Sequence, residues 1–345
     1  MSNKKEKDNK VNIKYIAKIA NVSPMTVSRA LRKTPGVSKK TIKKINNLSK
    51  KLNYYPDFVA KNLRLNKTNT IGVILNDVKN PFYNDVLWAI NEKLHESGYS
   101  TLINFSNWDF NLEKEMISNL ISKKVDGIIM SPVNGKDDNL KLLLNRNIEI
   151  VFVDSYSNFK DVCYSSINHK KAAYIGTDYL IKCGHKNILL ISTMPSASFS
   201  KQFIEGYKEA LKDNNIKKYE DLIIQLPNTS FDYCYNLLKE LIKKNPTLFT
   251  SIMFISDFLA ISFYKVANEL NFKIPDDYSI VGFDNLDINS ALSPPLTTIN
   301  QPRNEIGYEA VRILLNNINN PKNKVFEKVI KEPFLIIRDS VKKLN

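Results

Sequence analysis

Apolar residues along this chain change their period once, near residue 70. Before that point the spacing is helical. Ile16 and Ala20 share one face of a helix over 13–20. Val27, Ala30 and Leu31 share one over 24–31. Ile42, Ile45, Leu48 and Leu52 form the stripe of a third. The polar stretch from Leu65 to Thr70 then reads as a linker. After it, short apolar runs alternate with helical patterns: strands 71–75, 100–105, 126–130 and 149–153, with helices 82–97, 110–123 and 136–145. A second, similar run follows, with helices 170–182, 199–213, 231–244 and 258–270 and strands 187–192, 222–226, 250–255 and 278–283. Such alternation predicts parallel sheets covered by helices, and two runs of it predict two doubly wound lobes. The expected fold class is α/β, preceded by a three-helix unit.

The first unit is well punctuated. Asn12, Ser23 and Ser38 are cap residues, and Pro24 suits the first position of a helix. Asn21-Val22-Ser23 makes a three-residue turn, with Asn21 tolerant of the left-handed conformation and Val22 as an apolar plug. Ala17 is small where two helices would cross. Helix, short turn, helix is the helix-turn-helix pattern, although two short helices with a polar turn also occur in ordinary bundles. Pro56 ends the third helix. Asp57 can cap two further turns through Arg64, too short to be stable alone in water.

Charge sharpens this division. The chain has 345 residues and a net charge of +15. Residues 1–67 hold 18 Lys and Arg against 3 Asp and Glu; residues 68–345 hold 32 of each. Lysine excess alone would follow from a biased codon usage, but that would act on the whole chain, and the body is balanced. A basic module on a neutral body points to a polyanion, nucleic acid first. Three scattered cysteines (Cys163, Cys183, Cys234) fit buried thiols in a reducing compartment. The charged start, MSNKKEKDNK, has no apolar region behind it and reads as a leader rather than a signal peptide. Cytoplasm is the expected location, with no membrane contact. Phosphate-binding glycine loops, paired metal-ligand spacings and nucleophile–histidine arrangements are not found, so neither an enzyme, a cofactor nor a metal is expected. His185, in "CGH", reads as a packing residue.

The segment NIKYIAKIANVSPMTVSRALRKTPGVSKKTIKKINNLSKKLNYYPDFVAKNLR resembles the DNA-binding domain of the LacI/GalR family of bacterial transcription regulators. The resemblance implies that the second helix enters the major groove, with Pro24, Met25 and Arg29 facing bases. It places Thr26, Ser28, Arg32, Ser38 and Tyr54 on phosphates. It makes 57–64 a hinge helix that orders on DNA, with Leu63 as a wedge in the minor groove beside Arg64. Arginine suits a bidentate bond to guanine, and phosphate contacts set register without reading sequence. Lysines 39, 40, 43, 44, 50 and 51 read as a general electrostatic field.

The body is similar to the family's effector domain, a two-lobed fold of the type I periplasmic-binding-protein kind. The matching pieces are TIGVILNDVKNPFY, DGIIMSP, YLIKCGHKNILLIS, IPDDYSIVGFDN and PPLTTINQP. Sheets of this kind bind ligands at strand C-terminal ends. The resemblance brings Asp77, Phe82, Phe105, Ser106, Ser131, Asp154, Phe231, Asp257, Asp284 and Gln301 to a cleft between the lobes. Carboxylates with aromatics suit a sugar; the lesser alternative is that Asp154 and Asp284, each at a strand end, cap neighbouring helices. Two positions depart from the family pattern. Phe203 stands where many members carry an effector-binding arginine, and Ser256 replaces the asparagine before Asp257. Phe203 is therefore included as a site residue, and the effector is expected to be more apolar, a different sugar, or absent.

The expected organisation is a leader at 1–10, a DNA-binding domain at 11–56, a hinge and linker at 57–67, and an effector and dimerisation domain at 68–340. One lobe would comprise about 68–160 and 301–328, the other about 161–300 and 329–340. The partners expected are double-stranded DNA as a palindromic operator, a second copy in a homodimer, and a small-molecule effector, a sugar or related metabolite. A protein corepressor in its place, or no effector, is the alternative. A solute-binding protein of transport is a remote one. A leucine-heptad tail is lacking after Asp339, which favours dimer over tetramer.

Overall fold

The computed structural model describes residues 11–31, 35–54, 67–133, 138–157, 159–217 and 220–344. The chain divides into two compact units, Met1–Lys67 and Thr68–Asn345.

In the first unit, helices α1 (Ile13–Ala20), α2 (Pro24–Leu31) and α3 (Lys39–Lys51) follow the predicted caps. The Asn12 side chain accepts from Tyr15 N, Ser23 Oγ from Thr26 N at 3.1 Å, and Ser38 Oγ from Thr41 N at 3.2 Å. Each supplies an acceptor to a backbone donor that the helix itself cannot satisfy. Asn21 is left-handed at φ 56°, ending α1. Ile16, Ala17, Ala20, Val27, Ala30 and Ile45 form the buried core, with Val22, Ile42, Leu48 and Leu52 packed on it.

The second unit is two six-stranded sheets. Strands β1 (Thr70–Leu75), β2 (Ser100–Phe105), β3 (Gly127–Met130), β4 (Glu149–Val153), β5 (Cys163–Ile167) and β11 (Lys328–Lys331) make the first, in the order β11-β5-β4-β3-β1-β2, all parallel. Strands β6 (Ile188–Thr193), β7 (Ile223–Leu226), β8 (Ser251–Phe254), β9 (Ser279–Asp284), β10 (Thr297–Asn300) and β12 (Phe334–Ile336) make the second, in the order β12-β10-β9-β8-β6-β7. Only β12 runs antiparallel to its neighbour among the described strands. Helices α4 (Pro81–Glu96), α5 (Phe110–Ser122), α6 (Asp138–Leu144) and α11 (Arg303–Asn319) serve the first lobe. Helices α7 (His169–Lys182), α8 (Ser198–Asp213), α9 (Phe231–Lys244) and α10 (Asp257–Leu270) serve the second. Central strands such as β1 and β8 are buried on both faces, which is why they are continuous apolar runs. Gly206 lets α8 lie against α7, since a Cβ there would sit 1.9 Å from the Lys170 carbonyl oxygen.

The lobe crossings fall later than the sequence suggests. Cys163–Ile167 pairs with β4 on one side and β11 on the other, so the first crossing follows residue 167 rather than 160. Lys328–Lys331 is likewise a first-lobe strand, and the last crossing lies between it and β12. Both strands are short, and their serines or lysines interrupt the apolar run that marks the others.

Candidate functional site

Helix α2 buries one face and offers the other. Val27 and Ala30 are in the core. Pro24, Met25 and Arg29 are exposed, Met25 by 51%, and Met25 and Arg29 are four residues apart on the outward side. Thr26 and Ser28 are half-buried beside them, and the Thr26 hydroxyl pairs with Ser23 Oγ at 2.9 Å. Ser38 is spent as the cap of α3, its hydroxyl also paired with Thr41 Oγ1. Tyr54 closes the unit, its backbone N–H donating to Ser49 O. Lys44 departs from the general-field reading, because its ammonium donates to the Ala20 carbonyl at 2.9 Å, at the negative end of α1. Arg32, Leu63 and Arg64 lie outside the described residues.

In the second unit, loops after the strands of both sheets meet around a small, partly open space of about 30 Å³. Its walls include Asn80, Phe82, Tyr83, Trp108 and Asp154 from the first lobe. From the second come His169, Thr193, Phe199, Thr229, Ile255, Ser256, Phe283 and Asp284. Asp154 follows β4, and its Oδ1 accepts from His169 Nε2 at 3.1 Å and Gln301 Nε2 at 2.7 Å. Asp284 ends β9 and accepts from Ser256 Oγ at 3.0 Å. Burial, then the charges of Asp257 and Asp154, raises the Asp284 carboxyl well above its ordinary range. Asp77 sits at the rim. Its Oδ2 accepts from the Thr229 hydroxyl at 2.8 Å, and Thr229 Oγ1 in turn accepts from Trp108 Nε1 at 3.2 Å. This chain of hydrogen bonds ties the two lobes together.

Of the predicted cleft residues, Phe82, Asp154 and Asp284 line the space, and Asp77 and Gln301 touch the network around it. The others do not line it. Ser106 and Ser131 are behind the wall, Ser106 donating to Asn76 Oδ1 and Ser131 accepting from Asn76 Nδ2. Phe105 packs on the first-lobe core. Phe231 stacks at 5.7 Å on Phe258 at the start of α9. Phe203 is fully buried in the second-lobe core, edge-on to Phe283 at 5.4 Å. A ring in place of a guanidinium has no reason to face a polar cleft and packs inward. Asp257 is buried completely and holds structure. It accepts from Leu286 N, Asn289 Nδ2 and Thr298 Oγ1, fastening the turn after β9 to β10. A Cβ at Gly282 would meet its Oδ1 at 2.0 Å.

Sequence reasoning missed Trp108, His169, Thr193, Phe199 and Thr229. Trp108 lies two residues beyond Ser106, in a left-handed turn with Asn107; an Asn before an aromatic after a strand was the available signal. His169 opens α7 directly after β5, and without that strand its place at the cleft was invisible. His185, by contrast, is a packing residue as read: its ring nitrogens meet Thr250 Oγ1 and Lys342 O, and burial lowers its pKa.

Two family models match this chain. "Bacterial regulatory proteins, lacI family" covers residues 12–57, and "Periplasmic binding proteins and sugar binding domain of LacI family" covers 68–338. An HTH-type transcriptional repressor PurR from Actinobacillus pleuropneumoniae serotype 3 is 33% identical, over 96% of this chain and 99% of its own. A repressor of the same name from Vibrio campbellii is 31% identical over 96% and 99%. A LacI-family regulator from Enterococcus faecium, solved with bound ribose, superposes at a TM-score of 0.71 with 27% identity, covering 80% of this chain and 100% of its own. The lac repressor dimer bound to operator shares the fold at 0.83 with 22% identity, over 96% and 99%.

Proposed function

Because the chain belongs to the LacI family of bacterial regulatory proteins, a family of DNA-binding transcription regulators, we propose that it is a repressor that binds a palindromic operator as a homodimer and is gated by a small molecule in the inter-lobe cleft. Relatives named as transcriptional repressors along 96% of the chain support the sign of regulation. The ribose complex of the Enterococcus faecium regulator supports a small polar effector. No helix among the described residues is long and apolar enough to cross a membrane, and the site of action is the cytoplasm, where an operator lies.

The observation that carries the DNA reading is the outward face of α2. An exposed Met25 and Arg29 on a helix anchored by Val27 and Ala30 is what base readout requires. Arg29 reads guanine, Met25 and Pro24 offer apolar contact, and Thr26, Ser28, Arg32, Ser38 and Tyr54 meet phosphates or hold the backbone that does. Leu63, with Arg64 beside it, is the wedge of a hinge at 57–67. Asp77, Asp154, Asp284, Gln301 and Phe82 carry the effector side.

A gel-shift titration on a palindromic operator tests this with Arg29→Ala and Leu63→Ala. Both variants should bind more weakly, and wild-type affinity should fall by about 10³-fold or more between 50 and 200 mM salt for six or more phosphate contacts. Unchanged affinity in both variants sinks the assignment.

A further inference from the structure

The chain crosses between the lobes after β5, after β10 and between β11 and β12. Those strands lie at one end of each sheet, and β2 and β7 lie at the other. Trp108 follows β2 and Thr229 follows β7, and the indole Nε1 donates to the Thr229 hydroxyl at 3.2 Å. Two lobes joined at one end move furthest apart at the opposite end. This contact therefore spans the mouth of the cleft. The turn that carries Trp108 has an unusual backbone. Asp109 N–H donates to Ser106 O at 2.9 Å, and the two residues between, Asn107 and Trp108, are both left-handed, at φ 49° and 62°. Turns with two such central residues favour Asn followed by Gly. Asn107 fits, and a tryptophan stands at the glycine position. A bulky residue persists there only where its surroundings fix it. Both ends of the turn are fixed: Ser106 Oγ donates to Asn76 Oδ1, and Asp109 caps α5 through Asn111 N and Leu112 N. The ring then reaches across. It packs on the hydrophobic cores of both lobes, with its centre 6.2 Å from that of Tyr83 in the first and 6.0 Å from that of Phe199 in the second.

We propose that Trp108 is a latch carried by the chain itself, whose indole joins the two lobes across the mouth of the cleft in the absence of any ligand. Two-lobed proteins close around a bound molecule that touches both lobes; here a side chain makes both contacts. Two opposing effects set its strength. Opening exposes an apolar ring that both cores now cover, which favours the shut form. Opening also frees the Trp108 backbone to leave the left-handed region, which favours release. With the latch shut, the remaining space of about 30 Å³ holds a water or two. The consequence for binding rests on reading the cleft as the effector site: a ligand enters after the indole leaves Phe199 and Thr229.

Distances between paired spin labels test the latch in the full-length chain, without ligand or DNA. Cys163, Cys183 and Cys234 are buried, so labels are directed to Lys114→Cys on α5 and Lys201→Cys on α8, both exposed and on opposite lobes. A control pair, Lys201→Cys and Glu240→Cys, lies within the second lobe. Labelled protein is diluted into unlabelled protein so that pairs within one chain are read. With Trp108 present the interlobe pair should give one short distance. Trp108→Ala should add a population longer by more than about 2 Å, with the control pair unchanged. Trp108→Phe, which keeps a ring but loses the indole N–H, should fall between the two. If the alanine variant also disturbs the control pair, Trp108→Phe decides. Interlobe distances unchanged in both variants overturn the latch. No ligand enters the experiment, so a latch that fails leaves the effector reading standing, and a chain without an effector would still show the latch.

Discussion

The two units expose their chemistry in opposite ways. In the small basic unit Pro24, Met25 and Arg29, the residues assigned to bases, are exposed to solvent, while the buried set (Ile16, Ala17, Ala20, Val27, Ala30, Ile45) holds them in place. In the body several polar groups of the cleft are themselves buried and held by partners far away in sequence. Thr229 meets Asp77 across 152 positions, and Gln301 meets Asp154 across 147. A surface that reads a large, rigid polyanion can be preformed and open. A pocket for a small ligand must withdraw its groups from water to make their interactions count.

That contrast predicts which substitutions separate folding from function. Ile45→Ala empties the centre of the small unit and should cost about 2–5 kcal/mol of its stability. Operator binding would then be lost, with the thermal transition of the body unchanged. A parallel fall in the body's transition would show that the two units unfold together. Arg29→Ala removes only an exposed donor. It should weaken specific operator binding by about 10- to 100-fold, or ~1–3 kcal/mol, relax preference at one base position, and leave Tm unaltered. Operator titrations beside calorimetric unfolding read both effects.

The same contrast explains what was legible in the sequence. The small unit is built from local rules: Asn12, Ser23 and Ser38 cap helices three residues ahead, and apolar residues recur at helical spacing, so both its fold and its outward residues could be placed. Most of the body's strands and helices were legible too, because central parallel strands are unbroken apolar runs. The cleft was not, beyond Phe82, Asp154, Asp284 and the neighbours Asp77 and Gln301. Position after a strand puts a residue near the cleft but does not say which way its side chain turns. Ser106, Ser131 and Asp257 sit at strand ends and turn to Asn76 or to the β9–β10 connection. Phe203 turns into the core because its ring packs on Phe283. His169 and Trp108 depend on β5 and on a left-handed turn, which leave no apolar period to read.

Thr229→Val sharpens the comparison on the body's side. The variant keeps shape but loses both the donor to Asp77 and the acceptor for Trp108 Nε1. Asp77 retains the Lys79 backbone N–H on its other oxygen, so the loss is that of a partly compensated hydrogen bond, about 1 kcal/mol. The balance between closed and open lobes should shift by about fivefold toward open. Trp108 reports it: in a Trp88→Phe background, which removes an indole already 65% exposed, emission should move to the red. An unshifted spectrum would show that the clasp does not hold the lobes.

The smallest effect separates two neighbouring lysines of the basic unit. Lys44 donates to the Ala20 carbonyl at the end of α1, where a cation also meets the negative end of the helix dipole, so Lys44→Met should cost about 0.5 kcal/mol of that unit's stability. Lys43, exposed one position earlier, belongs to the field that neutralises phosphates. Lys43→Met should leave stability unchanged and reduce the slope of log affinity against log salt by about 0.9 if it meets one phosphate. Unfolding curves and salt titrations of the two variants together decide the matter. Identical behaviour in both would mean that the basic charge of this unit acts only as a diffuse field, and that its helices close without help from it.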